Sequence, residues 1–318
     1  MKYRCPINGE PLEAGKDGHL YSPQGRLVFQ THGGSFDFAV NEASQKERAF
    51  YDSTYANGGW WGGAVEGSLD NVDFDSLWAL EPCSQHYLKS FGDLKGKQVL
   101  LLGNGTSVKE LLFVERGAHV TFTDLSFQGV LYAKQRYQSS KLGTEHTDTC
   151  DFHALDAYYL PFEDNTFDVI CADAVVHHMD DLKKLFAGIY RCLKPGGICR
   201  FADTAQSSLW QTAKKGLLRP LQRYVHKKVG ISPEDVKATE RGGYTRQELA
   251  QLQAEIGFGN LYYQRVALFD YLLWRTRCHF NAPRLLAFRP AVRWLDRLLA
   301  TTPIMERQGI GLVFGFDK

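Results

Sequence analysis

The residues best suited to chemistry stand at the ends of apolar runs. Val99-Leu100-Leu101-Leu102 breaks straight into Gly103-Asn104-Gly105-Thr106-Ser107, and Glu110, Leu111 and Leu112 then begin a helix-like pattern. A strand that turns tightly into a helix N-terminus brings bare backbone amides up to a ligand. About twenty residues on, Val120-Thr121-Phe122-Thr123 ends in Asp124, and an acid at that spacing is placed to accept both hydroxyls of a ribose. Together these features point to an adenosine-containing cofactor at the carboxyl edge of a parallel sheet. Glycine also serves tight β-to-α turns for purely steric reasons, so the reading depends on the elements around the turn.

Those elements alternate as a doubly wound sheet requires. Strands are expected at 98–102, 119–123, 167–172 and 198–203, with helices at 85–91, 106–116, 126–139 and 181–193. Leu193-Lys194-Pro195-Gly196-Gly197 is a helix stop with turn chemistry, and Asp180 and Asp181 are suited to cap the helix before it. Thr245-Arg246-Gln247-Glu248 reads as a capping box ahead of Leu249, Leu252 and Ile256, with Gly257 ending that helix. A strand at 261–268 and a last one at 309–316 follow.

Ahead of this core, residues 1–40 read as a small β-rich module and 41–84 as a helical lid or linker. This segment holds a Gly-Gly-Trp60-Trp61-Gly-Gly loop. Tryptophans flanked by glycines suit a flap that closes over a site, although tryptophan more commonly packs into a core. Residues 85–318 form the main domain, with helical insertions at about 206–245 and 269–300.

The composition bounds the function. No apolar run approaches the roughly 20 residues that cross a bilayer, and Met1-Lys2-Tyr3-Arg4-Cys5-Pro6 has no apolar h-region, so neither a span nor a signal peptide is expected. Seven cysteines without a C-x-x-C spacing suit reduced thiols and a cytoplasmic setting. Net charge is only +1 but uneven: residues 206–318 carry 18 Lys/Arg against 9 Asp/Glu. Lys214, Lys215, Arg219, Arg223, Lys227 and Lys228 accumulate between Ser207 and Pro233 without an acid. A basic stretch of this kind is a solvated helix face or a surface for anionic substrate, phosphate or membrane. In 284–300, aliphatic residues at helical spacing alternate with arginines around Trp294, as in a core helix or in one resting on an anionic membrane.

VLLLGNGTS, VTFTD, ALDAYYLPFEDNTFDVICADAVVHHMDD, LKPGG and ERGGYTRQELAQLQAEIGF, in this order and spacing, resemble class I S-adenosylmethionine-dependent methyltransferases. Within them, the chain is similar to the group that methylates small molecules and lipid-linked substrates. The resemblance covers roughly residues 85–265. It implies an α/β, Rossmann-like, doubly wound sheet of seven mostly parallel strands, with S-adenosylmethionine as cofactor and S-adenosylhomocysteine as product. The N-terminal module resembles zinc-ribbon-like modules that precede some bacterial methyltransferase domains. Asn8 stands where its second cysteine would be, and Cys5, His19 and His32 supply at most three ligands, so the module is expected to be metal-free.

The resemblance also implies roles. Gly103, Asn104 and Gly105 would lie under the methionine moiety. Asp124 would hold the ribose hydroxyls, with Leu125 flanking the adenine. Asp156 would accept from the adenine amino group, with Ala157 offering an amide, and Ala172 and Asp173 would meet the methionine end. Two positions depart from the family pattern: Leu101 replaces an acid two residues before the first glycine, and Ser107 replaces a third glycine.

Imidazole is a suitable base for a hydroxyl acceptor, and His177 and His178 follow the fourth strand. The resemblance gives His178 a structural position and leaves His177 the freer of the two. Tyr51 and Tyr55 are expected to roof the cofactor, and Trp60, Trp61, Arg241 and Tyr244 to set substrate specificity. The expected reaction is methylation of a small-molecule, glycan or lipid-linked acceptor, at oxygen. An RNA methyltransferase is the alternative, against which stand the near-neutral total charge and the lack of a base-flipping motif. A non-catalytic binding protein on this fold is the other. Peripheral membrane contact would run through 214–228 and 284–300.

Overall fold

The computed structural model describes residues 2–56, 69–71, 83–105, 107, 109–206, 243–273 and 283–318. A small antiparallel sheet opens the chain: β1 (Tyr3–Arg4), β2 (Pro11–Ala14), β3 (Leu20–Tyr21) and β4 (Leu27–Phe29), paired in that order. It is a plain four-stranded meander, and nothing in it supports the likeness to a zinc ribbon. His19 Nδ1 accepts from the Thr31 amide at 3.1 Å, and the His32 ring packs edge-on against Phe127. The meander is fastened to the main sheet by Tyr3, whose hydroxyl lies 2.9 Å from His153 Nε2. Phe36 donates its amide to the other nitrogen of that ring at 3.1 Å.

The main sheet has seven strands: β5 (Gln98–Leu101), β6 (His119–Asp124), β7 (Cys150–Ala154), β8 (Phe167–Asp173), β9 (Leu193–Thr204), β10 (Leu261–Val266) and β11 (Gly311–Asp317). Their order is β10-β11-β9-β8-β5-β6-β7. The five strands β5 to β9 are mutually parallel where they pair, while β11 runs antiparallel to both β9 and β10. The order reverses between β5 and β8, and ligands of open α/β sheets bind at the carboxyl ends beside such a switch. Successive residues of β5 point to opposite faces. Val99 and Leu101 enter one buried cluster with Phe113 and Phe122, and Leu100 and Leu102 enter the other with Ile170 and Phe186. Leu101, fully buried, is thus a core residue. Full burial of such a side chain contributes about 1.5–3 kcal/mol.

Helices cover both faces: α1 (Gln45–Ala56), α2 (Ser84–Lys89), α3 (Leu112–Glu115), α4 (Phe127–Gln138), α5 (Lys141–Glu145), α6 (Leu182–Cys192), α7 (Arg246–Ile256), α8 (Arg289–Leu299) and α9 (Pro303–Gln308). Asp181 caps α6 by accepting from the Lys184 amide at 3.0 Å, and the capping box of α7 forms as its sequence demands. The expected helix at 106–116 is a correction. A 3₁₀ turn at Lys109–Leu111 precedes the short α3, because Glu110 turns inward to bind Asn104 and Ser107. The 284–300 segment is no core helix either: Trp294 is 59% and Leu298 56% exposed. Among the described residues no helix is long and apolar enough to cross a membrane.

Candidate cofactor and active site

The end of β5 is shaped by close approach. Gly103 and Gly105 both have positive φ, 63° and 53°. A Cβ on Gly103 would fall 2.8 Å from the Val175 methyls, and one on Gly105 would fall 2.5 Å from Tyr55 Oη. The glycines are therefore required by backbone shape and by space. One strand over, Asp124 is 5% exposed and accepts from the Gly105 amide at 2.6 Å and from the Ser126 amide at 2.9 Å. Burial pushes its carboxyl up to about 6 against those two hydrogen bonds, which favour the charge. Leu125 follows it, half-buried.

Asp156 lies past β7, 6% exposed. It accepts from the Tyr158 amide at 2.9 Å, from Asn41 Nδ2 at 3.3 Å and from the Ser44 hydroxyl. Ala157 beside it is half-buried. Ala172 is buried at the end of β8, and Asp173 forms an ion pair with Lys109. Lys109 also lies 3.8 Å from Glu110, whose other oxygen accepts from Asn104 Nδ2 at 3.1 Å and Ser107 Oγ at 2.9 Å. Sequence reasoning missed Lys109 and Glu110. Two charged residues within an otherwise apolar helix start are the signal that marked them.

Helix α1 lies over this edge. Its one-turn spacing puts Glu47, Tyr51 and Tyr55 on one face. The Tyr55 ring fits between Gly105 and Gly129, where a Cβ on Gly129 would meet Cδ2 at 2.7 Å. Tyr51 stacks on Tyr55 with centroids 6.0 Å apart and meets the His178 ring edge-on at 6.5 Å. Burial and nearby carboxylates raise both phenols, so both stay neutral. Glu47, which the sequence reading passed over, is raised by burial and by the charges of Asp156, Asp180 and Asp124.

The turn after β8 carries the two imidazoles. Ala174 is in the left-handed region at φ 56°, and a 3₁₀ turn spans Val176–His178. His177 is not the freer of the pair. Its Nδ1 is 3.1 Å from Asp203 Oδ1, and its amide donates to Asp203 Oδ2 at 3.0 Å. His178 Nδ1 is buried without a hydrogen-bond partner, and burial lowers its ring to about 4. Asp203, at the end of β9, was missed; an acid closing the apolar run of β9 was its signal.

Tyr244 is a correction. It is 2% exposed and donates its hydroxyl to the Val176 carbonyl at 2.7 Å, bracing the histidine turn from inside the core. Trp60, Trp61, Arg241 and the 214–228 basic stretch lie outside the described residues.

Residues 100–201, from β5 into β9, match the family model described as a methyltransferase domain. Phosphoethanolamine N-methyltransferase 2 of Caenorhabditis elegans is 35% identical over 113 residues, 35% of this chain and 24% of that protein. The ubiquinone/menaquinone biosynthesis C-methyltransferase UbiE of Desulfotalea psychrophila is 35% identical over 115 residues, 36% of this chain and 44% of that protein. The chain thus spans less than half the length of either relative. Over most of its length it is also similar in fold to the [4+2]-cyclase SpnF: the TM-score is 0.52 at 19% identity, covering 86% of this chain and 96% of that one. The glycine turn, Asp124, Asp156 and the histidine turn therefore all fall within the stretch, about a third of the chain, that matches the methyltransferase domain family.

Proposed function

We propose that this chain is an S-adenosylmethionine-dependent methyltransferase that methylates a hydroxyl of a small-molecule, glycan or lipid-linked acceptor. One observation carries the reading. The glycine cradle and the buried carboxylate of Asp124 meet at the switch of the sheet, and Gly103 packs against Val175 at the start of the turn whose His177 is oriented by a carboxylate.

The residues fit the cofactor. Asp124 offers two carboxylate oxygens for the ribose hydroxyls, and Leu125 offers an apolar edge for the adenine. Asp156 and the Ala157 amide suit the adenine amino edge. Lys109, Asp173 and Glu110 supply both signs of charge for the carboxylate and ammonium of the methionine end, so the polar anchor absent at Leu101 is supplied from β8 and the helix start. The cofactor, when bound, brings a methyl group made electrophilic by its sulfonium. The protein then has to align the acceptor, keep water out and take up a proton.

His177 is suited to the last task. With Nδ1 against Asp203, its Nε2 remains to accept the proton of an acceptor hydroxyl. His178, neutral above about pH 4, is suited to hydrogen-bond the acceptor. Tyr51 and Tyr55 close the roof. By their names one relative is a phosphoethanolamine N-methyltransferase and the other a C-methyltransferase of ubiquinone/menaquinone biosynthesis, which supports a small-molecule or lipid acceptor here, while the choice of oxygen rests on His177.

A second reading is favoured by the likeness in fold to a protein named as a cyclase: the chain binds the cofactor without methyl transfer. Incubation with methyl-tritiated S-adenosylmethionine and a panel of hydroxylated aromatic, glycan and isoprenoid acceptors separates the two. Methyl transfer should be lost in His177→Ala with cofactor binding retained. Cofactor binding without label transfer to any acceptor would favour the second reading.

A further inference from the structure

Helix α8 is built inside out. Three of its charged residues, Arg289, Arg293 and Asp296, face the protein. Arg289 Nε donates to Asp270 Oδ1 at 2.7 Å, and Arg293 Nε donates to Asp270 Oδ2 at 2.7 Å. Asp296 accepts from the amides of Leu268, Phe269 and Asp270 at 3.1, 3.0 and 2.9 Å. Arg289 and Asp296 are the buried residues of the helix. Its opposite face is apolar and open: Trp294 is 59%, Leu298 56% and Leu295 39% exposed, and Phe288 just before the helix and Ile304 in α9 are exposed as well, at 62% and 51%. Exposed apolar residues are ordinary singly, but a contiguous row on one helix face marks an interaction surface.

The charges around that row decide what it meets. In the segment that carries this row, residues 283–308, Arg284, Arg297 and Arg307 are exposed, against one exposed acid, Glu306. A second copy of this chain would oppose arginine to arginine across a two-fold contact. An anionic lipid surface complements these arginines, accepts the indole of Trp294 at its interface and lets the arginines snorkel to phosphate. We propose that α8, with the turns on either side, docks the protein on an anionic bilayer, its axis in the membrane plane and Trp294 and Leu298 in the acyl boundary. This goes beyond methyl transfer and holds whether or not the chain transfers a methyl group.

The test is co-sedimentation of the full chain with vesicles of phosphatidylcholine alone and of phosphatidylcholine mixed with phosphatidylglycerol. Binding to the anionic vesicles that weakens with salt is expected. Trp294→Glu with Leu298→Glu should reduce it by at least roughly tenfold, and Arg284→Glu with Arg297→Glu by roughly tenfold at low salt. All four side chains are exposed, so the thermal midpoint and S-adenosylhomocysteine binding should stay at wild-type values. The proposal is overturned if the wild type ignores anionic vesicles or binds neutral ones equally. It is also overturned if Trp294→Glu with Leu298→Glu binds undiminished, or instead dissolves a dimer formed without lipid.

Discussion

Asp124 is held in a conflict between burial and two hydrogen bonds that favour its charge. Its burial disfavours the charge, so the folded chain takes up a proton near pH 6 where the unfolded chain does so near the ordinary 3.8. A carboxyl raised in this way contributes stability in full below about pH 4 and loses it as pH rises through about 6. Asp124→Asn removes that loss. Relative to wild type, the variant should gain up to about 3 kcal/mol between pH 4 and pH 7.5, read by urea unfolding at both values. A constant difference between the two proteins would refute the assignment. Lys109 makes a different prediction, since it pairs with Asp173 where the methionine end would lie. Lys109→Gln should weaken S-adenosylhomocysteine binding about 10–100-fold, the value of a charge-assisted hydrogen bond, and leave methylthioadenosine, which lacks the amino-acid end, unaffected. Equal losses for both ligands would mean that Lys109 acts on the fold alone.

Helix α1 owes its position to small residues beneath it. Gly129 lies in α4 with ordinary helical backbone, so an added methyl brings no strain of its own, only a 2.7 Å approach to the Tyr55 ring. Gly129→Ala should therefore cost about 1–3 kcal/mol, and Tyr55→Ala in the same chain should recover part of it, a coupling that a double-mutant cycle in urea unfolding measures. Thr245→Ala, which opens the capping box of α7, should cost about 1 kcal/mol by the same assay.

The sequence was legible where local chemistry and burial agree. The capping box, the Asp181 cap, the alternating strands and the glycine turn all read correctly from spacing. β7 was not read, because Cys150-Asp151-Phe152-His153-Ala154 has too few apolar residues to signal an edge strand. Its partner across the interface, Tyr3, lies 150 residues away in the chain. Asp203 and Lys109 were hidden for a similar reason: each gains meaning only from a partner brought close by the fold. The face of α8 was ambiguous, since arginine and aliphatic residues at one-turn spacing suit either orientation. The Asp270 and Asp296 pairings resolved it.

Taken as a whole, the protein ties its small sheet to its main sheet through a buried imidazole, and a second, half-buried one lies under helix α1. His153 joins the meander to β7, and His178 sits beneath Tyr51; burial lowers the first to about 3 and the second to about 4. Groups lowered on folding contribute stability that is present above the ordinary 6.5 and lost as pH falls below it. The two histidines outweigh the opposite trend of Asp124, so unfolding free energy should drop by about 2–3 kcal/mol from pH 6.5 to pH 5. Denaturation in urea across that range checks the sign, and stability that rises on acidification would contradict it. The most direct test of the cofactor site is calorimetric titration of S-adenosylhomocysteine into the wild type and Asp124→Ala. Micromolar binding is expected in the wild type, weakened at least about a hundredfold in the variant by the loss of two hydrogen bonds to a carboxylate. No binding by the wild type, or equal binding by both, would contradict the assignment of this edge as the cofactor site.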